Sequence, residues 1–123
     1  MRKIPALLLL LALASCTSTP PTPKPPQAAA GGAAVTLTDA DRAAVESAVR
    51  ARLGQPGATF RTMIAQRDAS SSVVVCGYVN PGAGDTPFVG MLSGGAFTVT
   101  DLGGPKERTI AVQKACHGRG IYI

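Results

Sequence analysis

The chain has no tryptophan and only two Tyr and three Phe, so it offers few of the flat rings on which nucleic-acid bases stack. Apart from Arg2-Lys3, its Lys and Arg are scattered singly, without the basic cluster that tracks a phosphate backbone, and nucleic acid is not an expected partner. A single His and no second cysteine pair do not point to a closed zinc site, and neither a metal nor a cofactor is expected. The apolar run from Ile4 to Ala14 is about half the ~20 residues that span hydrocarbon. The glycine-rich Asn80-Pro81-Gly82-Ala83-Gly84-Asp85 lacks a GK[ST] ending and opens no helix, so it is not a phosphate loop. Gly90-Met91-Leu92-Ser93-Gly94-Gly95 misses the G-x-S-x-G nucleophile elbow by one position. The seven carboxylates are dispersed; Asp85 and Asp101 both fall in expected loops, but nothing fixes a glycosidase-like separation between them. No catalytic residue is assigned.

What is present begins at the N-terminus. Met1-Arg2-Lys3 precedes the apolar run, and small residues follow it, which is the pattern of a secretory signal peptide over residues 1–15. Leu13-Ala14-Ser15-Cys16 resembles the lipobox of bacterial lipoproteins: an aliphatic residue, two small residues, then cysteine. The resemblance implies that Cys16 becomes the new N-terminus with a diacylglycerol on its sulfur. Thr17 stands where an Asp would favour retention at the inner membrane. The implied address is therefore the cell envelope, lipid-anchored at the outer membrane and facing the periplasm.

Loss of Arg2 and Lys3 lowers the basic count from 12 to 10 against 7 acids, so the formal charge falls from +5 to +3. Part of the basic excess is thus export signal. The remaining weakly basic surface suits anionic lipid or peptidoglycan. Residues 16–34 form a Pro/Ala-rich tether, with five of the ten prolines between Thr17 and Ala34. So few large apolar side chains cannot offset chain entropy, and the proline part favours a semi-rigid polyproline II spacer.

The remainder, residues 35–123, is one small domain with a thin core, which a covalent staple would help. With Cys16 lipidated, Cys76 and Cys116 are left, and an oxidising compartment makes a Cys76–Cys116 disulfide the natural pairing. Such a bond stabilises by roughly 4 kcal/mol on a loop-entropy argument. Two buried free thiols are the alternative.

Thr38 as N-cap, with Asp39 and Asp41 in the first turn, predicts a helix over about 38 to 53. Ala44, Val45, Ala48, Val49 and Leu53 make one apolar stripe, Glu46 and Arg50 are i,i+4 partners, and Gly54 ends the helix. Thr59 to Gln66 reads as a strand with Phe60 and Ile64 on one face, Arg61 and Met63 on the other. Val73 to Val79 is β-branched enough for a central, largely buried strand. Pro87 to Leu92 and Ala96 to Thr100 are strands joined across Ser93-Gly94-Gly95. Pro105 suits the first turn of a second helix, with Ala111, Val112, Ala115 and Cys116 on one face and Gly118 as stop. A strand from Thr109 to Cys116 also fits that short run. The order implies an α+β domain: an antiparallel sheet of about four strands, with an N-terminal and a C-terminal helix on one face.

Three segments, Pro56 to Arg61 (Pro-x-x-x-Phe-Arg), Val75-Cys76-Gly77-Tyr78-Val79-Asn80 and Phe88-Val89-Gly90, resemble a group of small secreted proteins and lipoproteins of proteobacteria. The likeness covers roughly residues 40 to 92. It departs at Gln55, where an Asp usually precedes the Pro, and at Asn80-Pro81, where the group's loop is more polar. It implies fold and export, and no catalytic residue.

His117, next to Cys116, reads as a polar residue at a helix C-terminus, since a disulfide consumes the neighbouring thiol. Function is sought instead on surfaces. Arg61, Tyr78, Asn80, Asp85 and Phe88 form a candidate binding patch on one sheet face; the alternative is that Tyr78 and Phe88 are core. The expected role is a non-catalytic binding or structural module with an envelope protein or peptidoglycan as partner. A small inhibitor of an exogenous enzyme such as lysozyme, and a wall-acting enzyme, are the other readings. On the lipobox reading, Cys16→Ala is expected to release the protein from the membrane fraction, as cell fractionation and immunoblotting will show; retention of the variant in membranes refutes the assignment.

Overall fold

The computed structural model describes residues 32–123. The signal peptide, Cys16 and most of the tether lie outside the described residues. The element order is β1 (Ala33–Val35), α1 (Asp39–Leu53), β2 (Thr59–Arg67), β3 (Val73–Asn80), β4 (Thr86–Ser93), β5 (Ala96–Leu102) and α2 (Lys106–His117). All five strands form one antiparallel sheet in the order β1-β2-β3-β4-β5. The α+β class therefore holds, but the sheet has five strands instead of about four. The extra strand takes in Ala33 and Ala34 from the end of the expected tether. Two of its three residues are alanine, which has little strand preference of its own, and the segment pairs with Arg67, Gln66 and Ala65.

The local signals around α1 act as read. The Thr38 hydroxyl accepts from Asp41 N–H at 3.1 Å, and the Asp41 carboxylate accepts from Thr38 N–H at 3.2 Å, a reciprocal cap on two otherwise unpaired donors. Arg50 pairs with Glu46 at 3.2 Å, and Gly54 ends the helix. The segment 109–116 lies within α2, so the helical alternative is the one adopted. Between β4 and β5 the two-residue turn Gly94-Gly95 has φ of 58° and 77°, a pair of left-handed residues that matches the twist of the flanking strands.

The helices do not share a face. Val45 and Val49 of α1 pack with Val75, Val79, Phe88 and Phe97, whereas Val112 and Cys116 of α2 pack with Val74, Cys76 and Val89. The cause lies in β3, whose residues Val73 to Gly77 are all buried. A strand that is apolar on both faces needs cover on both. The Cys76–Cys116 disulfide ties this strand to α2, with Cα atoms 6.2 Å apart, and both cysteines are fully buried.

The facing of β2 also differs from simple alternation. Arg61 opposes Tyr78 and Met63 opposes Gly77, so Thr62, at φ 30°, is an extra residue. This bulge shifts the parity of the strand: Phe60 and Met63 join the α1-side core and Ile64 the α2 side. A second bulge in β5, between the partners of Val89 and Gly90, puts Val99 and Leu102 on the α1 side together. Phe88 sits edge-on between Phe60 and Phe97, at centroid distances of 6.0 and 6.3 Å. Gly77 and Gly90 make room for these rings. A Cβ at Gly77 would lie 2.5 Å from the Thr62 carbonyl oxygen and 2.8 Å from the Phe88 ring, and one at Gly90 would strike the Phe97 ring. Gly77→Ala is thus expected to lower unfolding free energy by about 1–3 kcal/mol, while Gly57→Ala, with nothing within 4 Å of its Cβ, leaves it nearly unchanged. Urea denaturation of both variants makes the comparison.

Candidate functional site

The five residues of the expected patch do not form one surface. Phe88 is fully buried in the α1-side core and presents nothing to a partner. Tyr78 turns to the opposite face, half-buried, where its hydroxyl accepts from Gln113 Nε2 of α2 at 3.1 Å. The division follows from strand parity: Gly77 and Phe88 are register partners, while Tyr78 is one residue further along and faces the other way.

Arg61, Asn80 and Asp85 do come together, at the end of the sheet where Thr59 pairs with Asn80. Asn80 Oδ1 accepts from Gly82 N–H at 2.7 Å and starts the β3–β4 loop as an Asx turn. Arg61 reaches across to Asp85 at 2.6 Å, clamping the far side of the loop to β2. The pair is solvent-exposed, with 71% of the Arg61 side chain accessible, so it orders the loop and contributes little to stability. Asp101 lies within β5 and not in a loop, and it pairs with Arg108 at 3.2 Å, so Asp85 and Asp101 are each held by their own arginine. His117 ends α2 and stacks on the exposed Tyr122, centroids 5.0 Å apart. Among the described residues no group of three or more His, Cys, Asp or Glu is arranged to hold a metal ion.

The opposite end of the sheet carries a polar turn over Asp68 to Ser72. Asp68 Oδ1 accepts from Ser70 Oγ at 2.6 Å, Ser70 N–H at 2.9 Å and Ser72 N–H at 3.0 Å. The Asp-x-Ser-x-Ser spacing is the signal that would have revealed it, since a short acidic side chain bonds the backbone two residues on. Arg119 stands 3.6 Å from the other Asp68 oxygen. Beside this turn, Ser70 to Ser72, Ser93 to Gly95 and Asp41 border an open hollow of about 390 Å³. The Ser70 hydroxyl above all, with the Ser72 and Ser70 N–H groups and the Arg119 charge, holds the Asp68 carboxyl below its ordinary 3.8, against a smaller opposing effect of desolvation.

No family model, no curated protein and no solved structure matches the chain.

Because the folded state holds the Asp68 proton more weakly than the unfolded chain, its contribution is complete above the ordinary carboxylate range and fades as pH falls through the lowered value. Asp68→Asn keeps an acceptor and loses the charge. The wild type is expected to be the more stable at neutral pH, with the gap closing at acid pH; urea melts across that range measure it.

Proposed function

We propose that the mature chain is a lipid-anchored, non-catalytic binding module of the cell envelope, with an envelope protein or peptidoglycan as its partner. The anchor and the tether rest on the lipobox and proline-rich sequence. The observation that supports binding is the Asn80–Thr86 loop: exposed along Gly82 to Asp85, yet held by the Asn80 turn at one end and the Arg61–Asp85 bridge at the other. A loop fixed before contact loses little conformational freedom when it binds. The groups that carry most side-chain chemistry are engaged elsewhere: both described cysteines in the staple, the histidine on Tyr122, and Glu46, Asp68, Asp85 and Asp101 with arginines.

The same clamped loop favours, as a second reading, a small inhibitor that presents this loop to an exogenous enzyme such as lysozyme. Two baits separate the readings. The intact lipidated protein, recovered from its own envelope after cross-linking, is expected to bring one dominant partner, and Asp85→Ala to reduce that recovery severalfold. Immobilised lysozyme retaining the protein in an Asp85-dependent way selects the inhibitor reading instead. Recovery of no saturable partner from either bait removes the binding role of the loop.

A further inference from the structure

Charge and apolar exposure are unevenly spread over the domain. Residues 32–105 carry five basic and six acidic side chains, residues 106–123 four basic and one acidic. A single exposed apolar side chain carries little meaning. Here the exposed large apolar side chains among the described residues are Ile110 and Tyr122, and both belong to that last segment. Lys106, Ile110 and Lys114 stand four residues apart and His117 three further on, so all four line one stripe of α2. The stripe is exposed and faces away from the sheet, because Val112 and Cys116 are the side chains that α2 buries. The Tyr122 ring, stacked on His117, extends it past the helix end.

The charges on this side differ in their partners. Arg108 pairs with Asp101 and Arg119 with Asp68. Lys106 and Lys114 make no ion pair among the described residues, and Glu107 is the one acid of the segment. The tether reaches the domain on the same side. Gly32, next to β1, borders a hollow with Arg119 and with Val74, whose side chain belongs to the α2-side core. Residues 17–31 separate Gly32 from Cys16. At roughly 3.1 Å per residue in polyproline II, that spacer reaches about 50 Å at most.

We infer that the α2 stripe lies against the anionic headgroups of the membrane that holds the anchor. The inference rests on the lipid-anchored reading above. Lys106 and Lys114 call for anionic groups, and Ile110 and Tyr122 for an apolar layer just beneath them; a lipid interface supplies both. Wall glycan offers carboxylates without the apolar layer. Tyrosine suits the depth at which the two layers meet, with its apolar ring and polar hydroxyl. A roughly fivefold preference for each lysine beside an anionic leaflet is small for a free protein. A tethered domain meets its own membrane at high effective concentration, so weak contacts suffice. That favours the membrane over a soluble acidic protein, which has to bind this narrow stripe without such help. The domain then rests on α2, with α1 on the other face of the sheet turned away from lipid.

Fluorescence quenching by lipid tests the orientation. The lipidated protein is extracted in detergent and returned to vesicles of phosphatidylcholine, alone or mixed with phosphatidylglycerol, that contain a headgroup-labelled nitroxide lipid. Ile110→Cys carries an apolar bimane in the stripe, and Ala43→Cys, exposed on α1, carries it on the far face; non-reducing mass shows the Cys76–Cys116 bond intact in each. In the anionic vesicles the label at position 110 is expected to be quenched severalfold more than the label at position 43. Lys106→Gln with Lys114→Gln, neutral vesicles or high salt are each expected to reduce that difference. Equal quenching at the two positions, in protein that floats with the vesicles, overturns the orientation and leaves the anchor standing. A difference indifferent to the lysines and to phosphatidylglycerol overturns the anionic surface as its cause. Shielding of position 110 only after soluble envelope proteins are added assigns the stripe to a protein and overturns the proposal. Protein that fails to float with either kind of vesicle removes the anchor, and this inference with it.

Discussion

The fold depends on one strand being buried on both of its faces. β3 sends Val75 and Val79 into one core and Val74 and Cys76 into another, so neither helix alone can shelter it. Burying four such side chains is worth about 1.5–3 kcal/mol for each large apolar group, and that gain is available only while α1 and α2 are both docked. The disulfide ties the second of these helices to the strand, in a domain whose thin core leaves little margin. Docking of α2 thereby becomes part of the covalent structure. Ile121 of the following turn then closes the α2-side core behind it.

Around that strand, the segments Pro56 to Arg61, Val75 to Asn80 and Phe88 to Gly90 work as packing devices. Gly77 and Gly90 are flat places on which the Phe88 and Phe97 rings lie, and Cys76 is a half of the staple. Arg50 lies over the Phe60 ring, 5.0 Å from its centroid, and donates to the Ala58 carbonyl, which fixes the α1–β2 connection within the Pro56 to Arg61 segment. Asn80 starts the loop after β3. These are reasons of close approach and hydrogen bonding, and they require no substrate.

The surface left over divides by position. One end of the sheet carries the clamped β3–β4 loop, the other the Asp68 turn, and the long β5 edge runs between them.

The sequence by itself determined the local elements: α1 with its reciprocal cap, the strands around Val73–Val79 and Phe88, the Gly94-Gly95 turn, and the cysteine pairing once Cys16 is assigned to lipid. Each of these follows from residues close in sequence or from simple counting. The candidate patch was legible only in its polar members, because Arg61, Asn80 and Asp85 sit at strand ends where pairing brings them together. Phe88 and Tyr78 went to opposite faces, and Phe60 to the side of Met63. A one-residue bulge reverses strand parity, and its presence at Thr62 depends on what β3 and the Phe88 ring demand across the sheet. The placement of the helices was decided in the same way. The continuous run Val73 to Cys76 required cover on two sides, but which helix took which side depended on contacts between residues far apart in the chain. β1 exists for the same reason: Ala33 and Ala34 have little strand preference to read, and the segment pairs with the neighbouring edge of β2.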